Sequence, residues 1–110
     1  MQMTEQEVIT YNFCPVIELR QKGFITKWVE ELRDEITAIY NDGVIRVVSS
    51  VCPHFGGEFK INPKTRELRC SWHDWCFNAD SGACTNRNVK TKLRHYDFRE
   101  ENGNLVVIAE

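Results

Sequence analysis

No stretch of this chain stays apolar for the roughly 18–20 residues that a membrane-spanning helix needs. That argues against a helical span. The first seven residues are polar and acidic. They lack the basic start, apolar middle and small-residue cleavage site of an export signal, so the expected location is the cytoplasm. Neither sign of charge is in large excess: 14 Lys and Arg stand against 16 Asp and Glu, a formal net charge of −2. Such a balance gives no basis for nucleic-acid binding or for adhesion to a membrane surface. No repeat or low-complexity linker divides the sequence, and residues 1–110 are expected to form one domain. Histidine is scarce as well, with His54, His73 and His95 making up the whole complement.

An apolar share of 42% is enough for an ordinary core. A domain this small still buries only part of its surface, so a metal staple would help hold it together. The five cysteines are an odd number. Without an export signal they read as thiols or metal ligands rather than as a disulfide framework. Cys14, Cys76 and Cys84 read as small buried hydrophobes. A Cys76–Cys84 disulfide fits the spacing but not the expected compartment.

Short strands with frequent turns run the length of the chain. Val8 to Thr10 and Val16 to Leu19 are β-like and are separated by Cys14-Pro15. Phe24 to Val29 suits either a strand or the start of a short helix through Arg33. Glu30, Glu31, Asp34 and Glu35 read as a solvated acidic face. Glu35 to Tyr40 and Val44 to Ser49 flank Asn41-Asp42-Gly43, a strong hairpin signal because Gly takes the positive φ of the turn. Ile61 to Thr65 and Asp80-Ser81-Gly82 read as turns, with a short strand at Glu67 to Arg69. Val89 to Phe98 alternates like a strand, Glu100 to Asn104 is a polar turn, and Leu105 to Ala109 is the last strand. The expected class is all-β, an antiparallel sandwich or small barrel.

Two loops carry the chemistry. Cys52-Pro53-His54 is followed, after fifteen residues, by Cys70-Ser71-Trp72-His73. Each loop offers one thiolate and one imidazole close enough to serve one centre, and Gly56-Gly57 gives the first loop backbone freedom. Two sulfur and two nitrogen ligands suit either tetrahedral zinc or a mixed-ligand iron–sulfur cluster. On residue types and spacing alone, both remain open.

The pattern Cys52-Pro53-His54-Phe55-Gly56, then Cys70-Ser71-Trp72-His73-Asp74-Trp75, then Phe77 and Asp80-Ser81-Gly82, resembles the Rieske family, in its low-potential, oxygenase-associated ferredoxins. The likeness is densest from Tyr40 to Cys84. It implies a Rieske-type β-sandwich with a two-loop cluster-binding subdomain at about residues 50–84. It also implies one [2Fe–2S] cluster, with Cys52 and Cys70 on one iron and His54 and His73 on the other. Replacing two thiolates by imidazoles raises the potential above that of an all-cysteine cluster.

Several departures from the family place the chain within it. Family members of the respiratory and photosynthetic complexes carry an extra cysteine in each loop, joined as a disulfide. Gly57 and Trp72 stand at those positions, so no such bridge can form. A Ser and a Tyr that donate hydrogen bonds to sulfur in those proteins are replaced by Trp75 and Phe77. Fewer donors stabilise the reduced form less, so a low potential is expected within roughly −150 to +300 mV. Asp74 stands where the family has Gly. Asp tolerates the left-handed conformation such a turn needs, and its charge would depress the potential further. The segment that covers the cluster in the family is proline-rich, whereas Asn86 to Tyr96 contains no proline.

The implied function is one-electron transfer from a flavin- or NAD(P)H-dependent reductase to a terminal oxygenase. The chain itself would not be an enzyme. An oxygenase centre needs two further histidines and a carboxylate, and only His95 is spare, read as a surface or core residue. Alternatives are the small Rieske subunit of an assimilatory nitrite reductase and, in another class, a zinc-binding interaction module. Arg87, Lys90, Lys92 and Arg94 read first as a solvated strand face, with docking of an acidic partner as the alternative. Trp72 and Trp75 are expected to pack against the cluster and shield it.

Overall fold

The architecture follows from how the apolar residues alternate. A computed structural model describes residues 8–51, 58–72 and 74–109. In chain order it contains β1 (Ile9–Pro15), α1 (Val16–Lys22), β2 (Phe24–Val29), a 3₁₀ turn (Glu30–Leu32), β3 (Asp34–Asn41) and β4 (Val44–Ser49). There follow β5 (Phe59–Asn62), β6 (Glu67–Cys70), β7 (Cys76–Asn78), β8 (Asp97–Glu101) and β9 (Asn104–Ala109). They form three antiparallel three-stranded sheets, ordered β1-β9-β8, β2-β3-β4 and β5-β6-β7. The fold is therefore mostly β, as expected. The barrel alternative is corrected, because among the described residues none of the three sheets closes on itself.

The β2-β3-β4 sheet lies between two apolar cores. Successive strand residues point to opposite faces. Ile36, Ala38, Ile45 and Val47 accordingly enter one core, with Phe13, Leu19, Tyr96, Leu105 and Val107. Ile39 and Val48 enter the other, with Leu68, Cys70, Phe77, Ala79 and Leu93. Thr37 is fully buried on the second face and shares a 2.7 Å hydrogen bond with the Thr26 hydroxyl. The β3–β4 turn uses positive φ at both Asp42 (54°) and Gly43 (83°), as the Asp-Gly signal implied.

Three expectations are revised. Val16 to Leu19 forms the first turn of α1 rather than a strand. Pro15 enters it in extended geometry, and Gly23, at φ 86°, ends it by donating its N–H to the Leu19 carbonyl. The two buried residues, Val16 and Leu19, have the three-residue spacing of a helix face. The run Val89 to Phe98 is not a continuous strand. It makes isolated pairings of Lys92 with Ala83 and His95 with Val48, and regular strand begins at Asp97. Its buried residues serve different cores, Leu93 the second and Tyr96 the first, so the run crosses between cores instead of following one sheet. The acidic cluster is also not uniformly solvated. Asp34 accepts hydrogen bonds from Tyr96 Oη (2.6 Å) and Ser49 Oγ (3.0 Å), and Glu35 accepts one from Ser50 Oγ (3.3 Å).

Burial, reinforced by the bond to Asp34, pushes the Tyr96 phenol up to about 12. An unfolded tyrosine ionises near pH 10. Between these values the folded chain keeps a proton that the unfolded chain has lost. The stability from this contact is complete below about pH 10 and drains away as pH rises toward 12. Tyr96→Phe should cost about 1–2 kcal/mol at neutral pH. Denaturant melts across pH 9–12 should show the alkaline loss in the parent chain and a smaller one in the variant.

Candidate metal centre

Of the four expected ligands, Cys70 is described. Cys52, His54 and His73 lie outside the described residues. Among the described residues no three His, Cys, Asp or Glu side chains come together as a metal site. The centre can therefore be followed through Cys70 and through the residues that flank both loops.

β6 ends at Cys70, whose side chain is fully buried against the second core. The chain then reverses. Cys70 N–H donates to the Trp75 carbonyl (2.8 Å), and Asp74 N–H donates to the Cys70 carbonyl (2.9 Å). Asp74 takes φ 59°, the left-handed conformation expected for a residue standing in place of Gly. Its carboxylate accepts from Arg69 Nη1 at 2.9 Å, an exposed ion pair not anticipated from the sequence.

The first loop is stitched to the second at its base. Val51 and Glu58 pair across residues 52–57. The Glu58 carbonyl then accepts from both the backbone N–H (2.9 Å) and the hydroxyl (3.1 Å) of Ser71. The residue before Cys52 and the residue after Cys70 are thus tied through one residue, Glu58. Two thiolates and two imidazoles carried on loops joined at the base fit a mixed-ligand [2Fe–2S] group, and the apolar setting of Cys70 fits a ligand shielded from water.

Behind the second loop, Phe77 is fully buried and meets Phe59 edge-on at 5.7 Å. Trp75 packs against the same core, with its ring 6.5 Å from Phe77. Trp72, by contrast, is 65% exposed. Burial is the main reason the Cys76 thiol is pushed up, and Arg69 partly offsets it. Among the described residues Cys14, Cys70, Cys76 and Cys84 form no disulfide, so Cys76 and Cys84 are not bridged. His95 does not approach a metal site among the described residues; its Nε2 lies 2.6 Å from the Ala79 carbonyl.

Asn86, which the sequence did not single out, fixes the segment that follows. Its Oδ1 accepts from Cys76 N–H (2.9 Å), and its Nδ2 donates to the Asp74 carbonyl (2.8 Å). Thr85 N–H adds a bond to the Cys76 carbonyl at 2.8 Å. One amide side chain therefore joins this proline-free segment to the residue directly after His73.

Residues 10–97 match the family model for the Rieske [2Fe-2S] domain. No curated protein matches the sequence. Among solved structures, the chain is similar to the plasma membrane Rieske protein PetC3 of the cyanobacterium Synechocystis PCC 6803. Identity is 21% and the TM-score 0.74, over 88% of this chain and 97% of that one. It is similar to the ferredoxin of carbazole 1,9a-dioxygenase from Nocardioides aromaticivorans IC177, with 18% identity and a TM-score of 0.72, over 89% and 95% of the two chains. It is also similar to a putative NADH-dependent nitrite reductase small subunit from Mycobacterium tuberculosis, with 15% identity and a TM-score of 0.69, over 96% and 98%. At these identities the likeness shows the fold.

Asn86→Ala should cost roughly 0.5–1.5 kcal/mol by removing the partner of the part-buried Cys76 N–H. Hydrogen exchange should quicken at the Cys76 amide. Asn86→Asp keeps the acceptor and should leave that amide protected. Equal protection in the parent chain and Asn86→Ala would show that the clamp does not hold the loop.

Proposed function

The chain belongs to the Rieske [2Fe-2S] domain family, and on that premise we propose that Cys52, His54, Cys70 and His73 hold its cluster and that it carries electrons from a flavin- or NAD(P)H-dependent reductase to a terminal oxygenase. The cofactor is a single [2Fe–2S] cluster, and the protein is a one-electron carrier. When bound, that group takes up and releases one electron at a time. The chain's own residues hold the loops together, keep water from the sulfur side and present a surface to partners.

The observation that carries the ligand assignment is the stitch through Glu58 to Val51 and Ser71, which ties the backbone flanks of the two cysteines. The stretch from about residue 50 to 84 then acts as the cluster-binding subdomain. Phe77, buried beside Cys70, offers no hydroxyl to sulfur, which supports a potential in the low part of the family range. Near end-to-end likeness to an oxygenase ferredoxin supports a free-standing carrier. Among the described residues no helix is long and apolar enough to cross a membrane, and we place the carrier in the cytoplasm. A second reading comes from the likeness to the nitrite reductase small subunit, in which this chain would stay bound to a large partner.

The test is EPR before and after dithionite reduction, with iron and zinc counted, on protein sized by gel filtration from its native source. We expect a rhombic signal only after reduction, two irons per chain and elution at the size of the free protein. An EPR-silent protein with one zinc would overturn the reading. Elution with a large subunit would favour the nitrite reductase alternative.

The Arg69–Asp74 pair sharpens a further expectation. The Asp74 carboxylate disfavours an added electron nearby, and Arg69 offsets that effect. Asp74→Gly should raise the midpoint and Arg69→Gln lower it, each by roughly 20–40 mV, with the double variant between them. A spectroelectrochemical titration reads this directly. Midpoints that do not move would remove the pair from potential control.

A further inference from the structure

Between Ser81 and Tyr96 the chain carries no carboxylate, while Arg87, Lys90, Lys92 and Arg94 lie there. All four are exposed, and among the described residues none pairs with a carboxylate. Arg94 lies over the Tyr96 ring at 4.8 Å, and Arg87 donates to the neighbouring Asn86 carbonyl at 2.8 Å; neither contact neutralises a charge. The whole chain is at −2, so setting these four cations aside leaves the remainder at −6. The positive charge is a local feature on an otherwise acidic protein.

Its position is fixed at both ends. Asn86 bonds the start of the segment to Asp74 in the second loop. At the other end the Arg94 carbonyl accepts from Ser49 N–H (2.8 Å), at the end of the strand that leads into the first loop. The basic segment is therefore strung between the two loops. Exposed apolar side chains accompany it: Trp72 (65%), Val51 (39%) and Val89 (38%). Beside Val51 a cleft of about 410 Å³ brings together Arg33, Lys92 and Arg94, with Leu32 on its wall. Asp34, also at the cleft, already has its two oxygens engaged by Ser49 and Tyr96. Three cations against one engaged carboxylate leave room for an incoming anion.

We propose that this basic face is the docking surface for an acidic protein partner, with an Asp or Glu of that partner seated in the cleft of Arg33, Lys92 and Arg94. The inference rests on the electron-carrier reading and names the chemistry of its partner. Apolar residues beside a charged rim suit a transient protein interface, in which complementary charge sets orientation and on-rate. A nucleic acid or lipid surface is disfavoured, because an extended polyanion would also meet the remaining −6 of the chain.

The test follows oxidation of the dithionite-reduced protein by stopped flow, with ferricyanide as an anionic oxidant and hexaamminecobalt(III) as a cationic one. If the basic face surrounds the point of electron exit, the ferricyanide rate falls with ionic strength and the cobalt rate rises, despite the negative net charge. A triple variant, Arg87→Gln/Lys90→Gln/Lys92→Gln, should slow the ferricyanide reaction at low salt by roughly tenfold and flatten its salt dependence. Lys22→Gln/Lys64→Gln, with Lys64 in the β5–β6 turn, should leave the salt slope unchanged. A polyglutamate peptide should slow the ferricyanide reaction of the parent chain but not of the triple variant. Salt slopes of the opposite sign, or no effect of polyglutamate, would overturn the docking surface alone. Binding of duplex DNA or phosphatidylserine vesicles at physiological salt would overturn the protein partner. A protein with no reducible cluster would overturn both this inference and the reading beneath it.

Discussion

Burial of the β2-β3-β4 sheet on both faces is the constraint on which the rest of this structure depends. Because strand residues alternate in direction, β3 and β4 must supply two cores from one short run each. Ile36, Ala38 and Val47 close the core shared with β1, β8, β9 and α1. Ile39 and Val48 close the core shared with β6 and β7. β4 leads directly to the first loop, and β6 and β7 bracket the second. The second core is thus also the platform of the metal loops. Leu68, Cys70 and Phe77 cannot shift there without disturbing Ile39 and Val48, so the loops inherit the rigidity of close packing.

What holds the loops is mostly backbone and side-chain amide, not charge. Glu58 serves through its carbonyl, and Asn86 bonds to a backbone amide and a backbone carbonyl. Directional bonds to fixed backbone groups specify position, whereas an exposed ion pair such as Arg69–Asp74 contributes little to stability. The charged residues near the loops are therefore free to serve the electric field around the centre and the encounter with partners. The segment from Asn86 to Tyr96 shows the same separation. Leu93 and Tyr96 anchor it by burial, and its cations remain in water.

The parts of the fold that could be read in the sequence are those set by local periodicity and turn chemistry. The Asp42-Gly43 hairpin and the last strand are examples, and so is the left-handed turn at Asp74. The paired Cys/His loops pointed to the family because their residue types and spacing lie within a few positions of each other. Val16 to Leu19 has a β-like composition, which outweighed the local helix boundary signals at Pro15 and Gly23. Other features depended on distant residues. Val89 to Phe98 alternates in polarity, yet its buried residues belong to two separate cores, which no local pattern reveals. Asp34 and Glu35 looked like ordinary surface acids because their partners, Tyr96, Ser49 and Ser50, come from elsewhere in the chain. Asn86 gave no local signal, since its bonds to Asp74 and Cys76 span ten or more residues.

The replacement of a hydroxyl-bearing residue by Phe77 gains its meaning from this packing. Phe77 is fully buried, is met edge-on by Phe59 and shares its core with Cys70. The sulfur side of the proposed centre is thus backed by hydrocarbon. Adding an electron adds negative charge, and an apolar surrounding disfavours charge for the same reason that it raises a buried thiol's pKa. The same burial that secures the second core would therefore bias the centre toward its oxidised form. Arg69 and the basic segment act against that bias from the solvent side, where charge is screened and acts more weakly. Core packing would then set the resting potential, while the exposed cations govern how an acidic partner is brought to the centre.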